Sequence, residues 1–249
     1  MNKSFEKMFE ILGLYTMDRT SLSISEIQKE IGFPKSTIFR ILNTMEFYNY
    51  IEQNAENHRY SLGFNFFRLG SIYQGQLDFR STSLPVMKKI AKETNETVEL
   101  NIIDDISRIC IEKVDSSLDV RNFVRVGDRK PVHVGASGKV LLSFLSPIEL
   151  EKTIEKLKNV EQIGTEKLEL DIKKIKLRGY EVTKGERVPG SFAIASPIFD
   201  NKGVMIASLT IAGPIQRLTN EREEQLVKIL MDGAKGICEK LGYFDFPYN

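Results

Sequence analysis

Between Ser23 and Leu62 the chain runs SISEIQKEIGFPKSTIFRILNTMEF and then YIEQNAENHRYSL, an order of periods that few folds accommodate. Ser23 and Glu26 have the spacing of a capping box, which starts a helix. Ile24, Ile27 and Ile31 then form one apolar stripe. Gly32 stands where that helix must stop, because a residue without Cβ takes the left-handed conformation cheaply. Pro34 suits the first turn of a second helix. In that helix Ile38, Ile41, Leu42 and Met45 recur at helical spacing and face a core. The opposite face shows Lys35, Ser36, Thr37, Phe39, Arg40 and Asn43. AEN is a tight polar turn between strands at Ile51 and Tyr60. Helix, turn, polar-faced helix and hairpin together predict a winged helix-turn-helix.

The polar face carries groups able to reach base edges and phosphates in a major groove, with Phe39 available to a thymine methyl. His58 and Arg59, at the base of the wing, are placed for backbone or minor-groove contact. Double-stranded DNA is therefore the expected partner of this end of the chain. Charge gives no further support: residues 1–75 hold eight Lys and Arg against eight Asp and Glu, without a broad basic patch.

At 249 residues the chain is long enough for two cored domains. Its 41% hydrophobic and 28% charged content and net charge of +1 are ordinary for a globular protein in water. With no signal-like start and no apolar run of spanning length, a cytoplasmic protein without membrane contact is expected. Cys110 and Cys238 read as small buried hydrophobes rather than a disulfide.

Phe5, Met8, Phe9 and Leu12 predict an amphipathic helix ahead of the winged motif. Phe64 to Gln76 reads as a helix that is apolar on more than one side (Phe66, Phe67, Leu69, Ile72, Tyr73). It needs two surfaces, as a linker and dimer contact or as a core helix of the first domain. A further helix is expected from Ser81 to near Thr94, followed by strands TVELNII, RICIEKV and DVRNFVRV. A glycine-rich loop then turns into helix at GASGKVLLSFL. Ser146 and Glu149 cap another helix, and Lys167 to Arg178 form one more. GYEVT opens a strand, and a hairpin turns at Gly203. Asn220 with Glu223 is read as the cap of the last helix. The expected fold class is α+β, with the winged domain at residues 1–62, a linker helix at 63–79 and an effector domain at 80–249.

Two passages in the second half carry a resemblance. GDRKPVHVGASGKVLLS resembles a signature segment of IclR-family transcriptional regulators, and RGYEVTKGERVPGSFAIASPIFDNKG is similar to the second. SLTIAGPIQRLT resembles the family's closing strand and helix entry, so the likeness covers essentially the whole chain. It implies a GAF-like α/β effector-binding domain, a homodimer or homotetramer, and control, expected to be repression, by a small carboxylate or related metabolite. By the same resemblance Ala136, Ser137 and Gly138 on one loop, with Thr183, Ser191, Ala193, Thr210 and Ala212 opposite, form the effector site. Loop and helix start at residues 135–139 also make a physically reasonable anion site. Thr183 stands where the family often has an acid, and Ala193 and Ala212 where more polar or thiol side chains occur. The far end of the pocket is therefore expected to be less polar.

Catalytic readings find no support. GASGK lacks the glycine and the Ser/Thr of a P-loop. Ser137 and Lys139 lack the Ser-x-x-Lys spacing, and His133 near a serine makes no triad. His133, Cys110 and Asp200 show no metal-ligand spacing. No catalytic residue, metal or cofactor is assigned. The alternative to a DNA-binding regulator is a metabolite-binding or enzymatic GAF-like protein whose degenerate winged domain does not bind DNA.

Overall fold

The computed structural model describes residues 3–16, 18–75, 78–160 and 165–248. The chain divides into two compact units, Met1–Leu77 and Asp78–Asn249.

The first unit contains α1 (Lys3–Leu12), β1 (Ser21–Leu22), α2 (Ile24–Ile31), α3 (Lys35–Phe47), β2 (Ile51–Gln53), β3 (Tyr60–Leu62) and α4 (Phe64–Gly75). The capping box forms: the Ser23 N–H donates to Glu26 (2.7 Å) and the Glu26 N–H to Ser23 Oγ (3.3 Å). Gly32 ends α2 at φ +71°. Ile11, Leu22, Ile27, Ile38, Leu42, Met45, Ile51 and Tyr60 make the core. The expected amphipathic helix forms as α1. Ile11 is buried and Met8 and Leu12 pack on the core, whereas Phe5 and Phe9 are exposed. The two-residue strand β1, too short for any period to register, pairs with β3 through Ser21–Ser61 and Leu22–Tyr60. Gln76, the expected end of α4, and residue 77 lie outside the described residues, as does the Tyr73 side chain.

The second unit is built on a six-stranded antiparallel sheet, ordered β6-β5-β4-β9-β8-β7. Its strands are β4 (Thr97–Asp104), β5 (Ser107–Val114), β6 (Arg129–Pro131), β7 (Glu181–Lys184), β8 (Ser191–Phe199) and β9 (Met205–Pro214). Helices α5 (Asp78–Thr94) and α9 (Asn220–Lys240) cover one face. They cross closely, since a Cβ on Gly233 would meet Ile90 at 2.5 Å. On the other face lie α6 (Ala136–Ser143), α7 (Pro147–Val160) and α8 (Glu166–Arg178), joined through Val132, Leu141, Leu142, Ile154, Leu157, Leu168 and Ile172.

Three sequence expectations are corrected here. Helix α5 begins at Asp78, three residues before Ser81. The last helix is capped by Thr219, whose hydroxyl accepts the Arg222 N–H (3.2 Å), and not by Asn220. Residues 119–126 form no strand. Carbonyls there are taken by side chains from elsewhere, Asn122 by Thr97 Oγ1 (3.2 Å) and Val120 by Arg217 (3.0 Å), so no ladder forms.

Candidate nucleic-acid interface and effector cleft

Ile38, Leu42 and Met45 anchor α3 in the core of the head, which turns the opposite face outward. Lys35, Ser36, Phe39, Arg40 and Asn43 are exposed on that face, and Thr37 is half-buried. Pro34 provides no side-chain cap, so the first N–H groups of α3 are left to solvent or to a phosphate. Three of the eight acids in residues 1–75 are engaged away from that face. Glu30 pairs with Arg19 (3.0 Å), Glu26 with Arg59 (2.9 Å), and Glu46 accepts the Gln53 N–H (3.2 Å). Lys35 and Arg40 face outward with no ion pair among the described residues.

In the wing, Asn54 closes the turn by accepting the N–H groups of Glu56 (2.9 Å) and Asn57 (3.2 Å). His58 is exposed there in the left-handed conformation, at φ +54°. Arg59 has a different environment from the one expected. Its guanidinium donates to Ser21 Oγ (3.1 Å), to the Ser21 carbonyl (2.9 Å) and to Glu26 (3.1 Å), tying β3 to β1 and α2. The Ser23 hydrogen bonds and Arg59 hold the Glu26 carboxyl down at about 2.

In the second unit, strand alternation brings polar side chains to the α6 face of the sheet. Glu99 pairs with Thr210 and Asn101 with Ser208 across β4 and β9, while Val98 and Leu100 face the other way. The β4–β5 register slips at Leu100/Asn101, with Ile111 as the extra residue. That bulge sets Arg108 and Cys110 on the α6 face, while Glu112 turns to the other and pairs with Arg80 of α5 (2.7 Å). Burial pushes the Cys110 thiol up to about 12, which keeps it protonated.

One cleft between this sheet face, the start of α6 and the segment 183–193 takes in Ala136, Ser137, Thr183, Ser191, Ala193, Thr210 and Ala212. Gly138 is not part of it. Gly138 lies against the backbone of Val132, where a Cβ would come within 2.1 Å of the carbonyl oxygen. Charged residues that the family likeness did not assign line the cleft too: Glu99 and Arg108 from the sheet, and Glu186 and Arg187 from the β7–β8 segment. These charged residues are invisible to a search for glycine loops. The readable signal was the period-two run Thr97, Glu99, Asn101, which is polar at every second position of a strand with Val98 and Leu100 between.

Free space in the cleft is about 20 Å³, roughly enough for one water. The chain closes it with its own groups. Thr183 Oγ1 accepts the Ala136 N–H (3.2 Å), and Glu186 accepts the Gly135 N–H (3.2 Å) and pairs with Lys139 (2.6 Å). Lys139 also reaches Asp171 (2.9 Å). Burial works against the Lys139 charge, but these two carboxylates outweigh it and raise its pKa. Gly185 and Gly190, at φ +67° and +77°, bracket the segment that carries Glu186 and Arg187. Among the described residues no group of three or more His, Cys, Asp or Glu is gathered as a metal site.

The sequence matches the profile described as "Bacterial transcriptional regulator IclR C-terminal" over residues 72–239. It matches "IclR helix-turn-helix domain" over residues 4–55. It is similar to the HTH-type transcriptional regulator KdgR of Dickeya chrysanthemi, 32% identical over 97% of this chain and 81% of that protein. The HTH-type transcriptional repressor AllR of Escherichia coli is 28% identical over 98% of this chain and 92% of its own. Among solved structures, an IclR homologue from Microbacterium hydrocarbonoxydans complexed with 4-hydroxybenzoate superposes with a TM-score of 0.82 at 26% identity, covering 96% of this chain and 98% of that one. With both profiles in order along the chain, this protein belongs to the IclR family of effector-responsive, DNA-binding transcriptional regulators.

Proposed function

We propose that the protein represses transcription from an operator read by α3 and is controlled by a small organic acid bound in the cleft between the sheet and α6. The observation that carries this is the cleft itself. Seven residues expected from the family likeness line it, together with the buried charged groups Glu99 and Arg108, whose Nε has no acceptor among the described residues. In the head, Lys35, Ser36, Phe39, Arg40 and Asn43 are the groups offered to the major groove, with Thr37 behind them. His58 is offered by the wing, and Arg59 supports it. Repression is suggested by AllR, a relative named as a repressor, and an organic acid by the 4-hydroxybenzoate of the solved relative.

The protein works as a homodimer in this reading. Phe64 (65%), Phe67 (69%), Ile72 (52%) and Leu69 (41%) are exposed on α4, as are Phe5 (59%) and Phe9 (64%) on α1. So many large apolar groups on one small unit suit a covered face. A second copy would also give two α3 helices for a palindromic operator. Residues 63–79 then act as the linker between head and effector domain. No helix among the described residues is long and apolar enough to cross a membrane, and DNA as target suits a cytoplasmic protein.

Fluorescence anisotropy with DNA from upstream of the chain's own gene tests the core of this reading. Salt-dependent, sequence-selective binding that a small acid weakens is expected. Effector coupling should be about 1–3 kcal/mol. Turnover of a small acid without DNA binding would replace it with the enzymatic alternative. Sedimentation checks the dimer: Phe67→Ser with Ile72→Ser should yield monomers that bind operator weakly.

A further inference from the structure

The charges around the cleft are unevenly distributed. At the α6 end two N–H groups are already used, Gly135 by the Glu186 carboxylate and Ala136 by Thr183. Lys139 faces two carboxylates there, Glu186 and Asp171. An acid arriving at this end would meet a surplus negative charge and would have to displace Glu186. The chain itself supplies the anion that this helix start attracts.

The sheet end has the opposite balance. Arg108 is 1% exposed. Its Nη1 reaches Asn101 Oδ1 (2.5 Å) and, more distantly, Glu99 (3.5 Å). Glu99 is shared, since it also accepts from Asn122 (2.8 Å). The Arg108 Nε is buried and finds no acceptor among the described residues. Arg187 enters the same cleft from the α6 side, on the segment between Gly185 and Gly190 with its Cβ near Gly135, and makes no ion pair among the described residues. Burial is the larger influence lowering the Arg108 pKa, and the charge of Arg187 adds to it. Two guanidinium groups thus act on one cleft whose carboxylates are already engaged, Glu99 by Asn122 and Glu186 by Lys139.

Resting on the reading of this cleft as the effector site, we infer that Arg108 and Arg187 hold the acidic group of the effector, at the sheet end and not at the start of α6. Glu186, at the opposite end, accepts a hydrogen bond from a donor on the same molecule. The ligand class is therefore a short hydroxy acid, with its anionic and hydroxyl ends set apart. Guanidinium groups suit this because their planar donors match a carboxylate at two points. As the cleft leaves about 20 Å³ free, binding must move the segment between Gly185 and Gly190. Arg187 travels on that segment and would close on the acid.

The test uses the full-length protein in thermal-shift and calorimetric titrations. Probes are glycolate and 4-hydroxybenzoate, each paired with its amide, and inorganic sulfate. The wild type is expected to bind at least one acid, or sulfate, and neither amide. Arg187→Gln, a change on an outer segment, should weaken that binding about ten- to a hundredfold, the effect of losing one charge-assisted hydrogen bond. Arg108→Lys should weaken it similarly if it folds, while Glu186→Gln should leave the preference for acid over amide intact. Arg187→Gln binding the acid as tightly as wild type would overturn the assignment. So would Glu186→Gln gaining affinity while the arginine variants lose none, because the acid would then dock on α6. A wild type that takes none of the acids nor sulfate overturns it as well. If DNA binding nevertheless responds to a neutral metabolite, the effector reading stands and only the anion assignment falls.

Discussion

The two units use their interiors in opposite ways. Every fully buried side chain described in the winged head is apolar apart from the hydroxyl of Tyr60, and its reactive groups all lie outside. The effector domain buries Glu96, Thr97, Glu99, Asn101, Arg108, Ser208 and Thr210 within or beside its sheet. A head that reads DNA needs only a rigid support behind one polar helix face. A domain that binds a small molecule must keep hydrogen-bonding groups away from water, and it becomes vulnerable wherever one of them loses its partner. The difference predicts where each unit will fail.

The largest effect should come from unpairing a charge in the effector domain. Arg108→Met leaves Glu99, 1% exposed, with only the amides of Asn101 and Asn122. Removing one partner of a buried pair costs about 3–5 kcal/mol. Replacing both, Arg108→Met with Glu99→Leu, should recover most of that loss. Urea unfolding of the two single variants and the double would show it as a coupling. Additive losses would mean that the buried polar groups are independent and the contrast between the units is weaker than drawn.

In the head the corresponding weak point is a methyl-lined space. Leu42→Ala, at 0% exposure between α3 and the core, should cost about 2–5 kcal/mol by transfer and cavity terms. DNA binding should fall because α3 loses its seat, while titration of the effector domain with an acid stays unchanged. Loss of both responses would show that the units do not behave separately.

A smaller effect is expected on the reading face itself. Arg40→Ala removes an exposed cation that supports nothing in the fold, so the melting temperature should not change. If Arg40 contacts a guanine, discrimination should fall by about 1–3 kcal/mol. If it contacts phosphate, binding should weaken on all sequences and the salt slope should fall by about one. Unchanged affinity and slope would move the reading face away from α3.

The same contrast explains what the sequence disclosed. Helical period and capping chemistry are local, so Ser23, Glu26 and Gly32 marked α2, and Ile38, Leu42 and Met45 marked the outward face of α3. Phe5 and Phe9 marked α1 correctly but not their own exposure, because an apolar stripe reports amphipathicity and not which apolar side is covered. The polar floor of the cleft was harder to find. Arg108 shares a face with Asn101 only because Ile111 is an extra residue in β5, and no pattern within RICIEKV announces a bulge. Residues 119–126 alternate as a strand should, but Thr97 and Arg217, distant in sequence, take their carbonyls. Thr219 and Asn220 are both able caps; chain direction chose the extended Thr219.

The smallest effect is a pH dependence confined to the head. Glu26 is the one acid there whose pKa is pulled far down, from 4.5 to about 2, by the Ser23 backbone and hydroxyl donors and by Arg59. A carboxyl with a lower pKa folded than unfolded binds fewer protons in the native state, so falling pH favours unfolding. Its contribution is complete above pH 4.5 and is lost as pH falls through about 2. Because the group lies at the surface, the change should be modest, and salt should reduce the Arg59 part while sparing the hydrogen bonds of the cap. Circular-dichroism melts from pH 6 down should therefore lose less for Glu26→Gln than for wild type, relative to each protein's own plateau. A parallel slope in both would assign the acid sensitivity of the head to other carboxylates. It would also leave Arg59 held mainly by Ser21, with the wing anchored through β1 and not through α2.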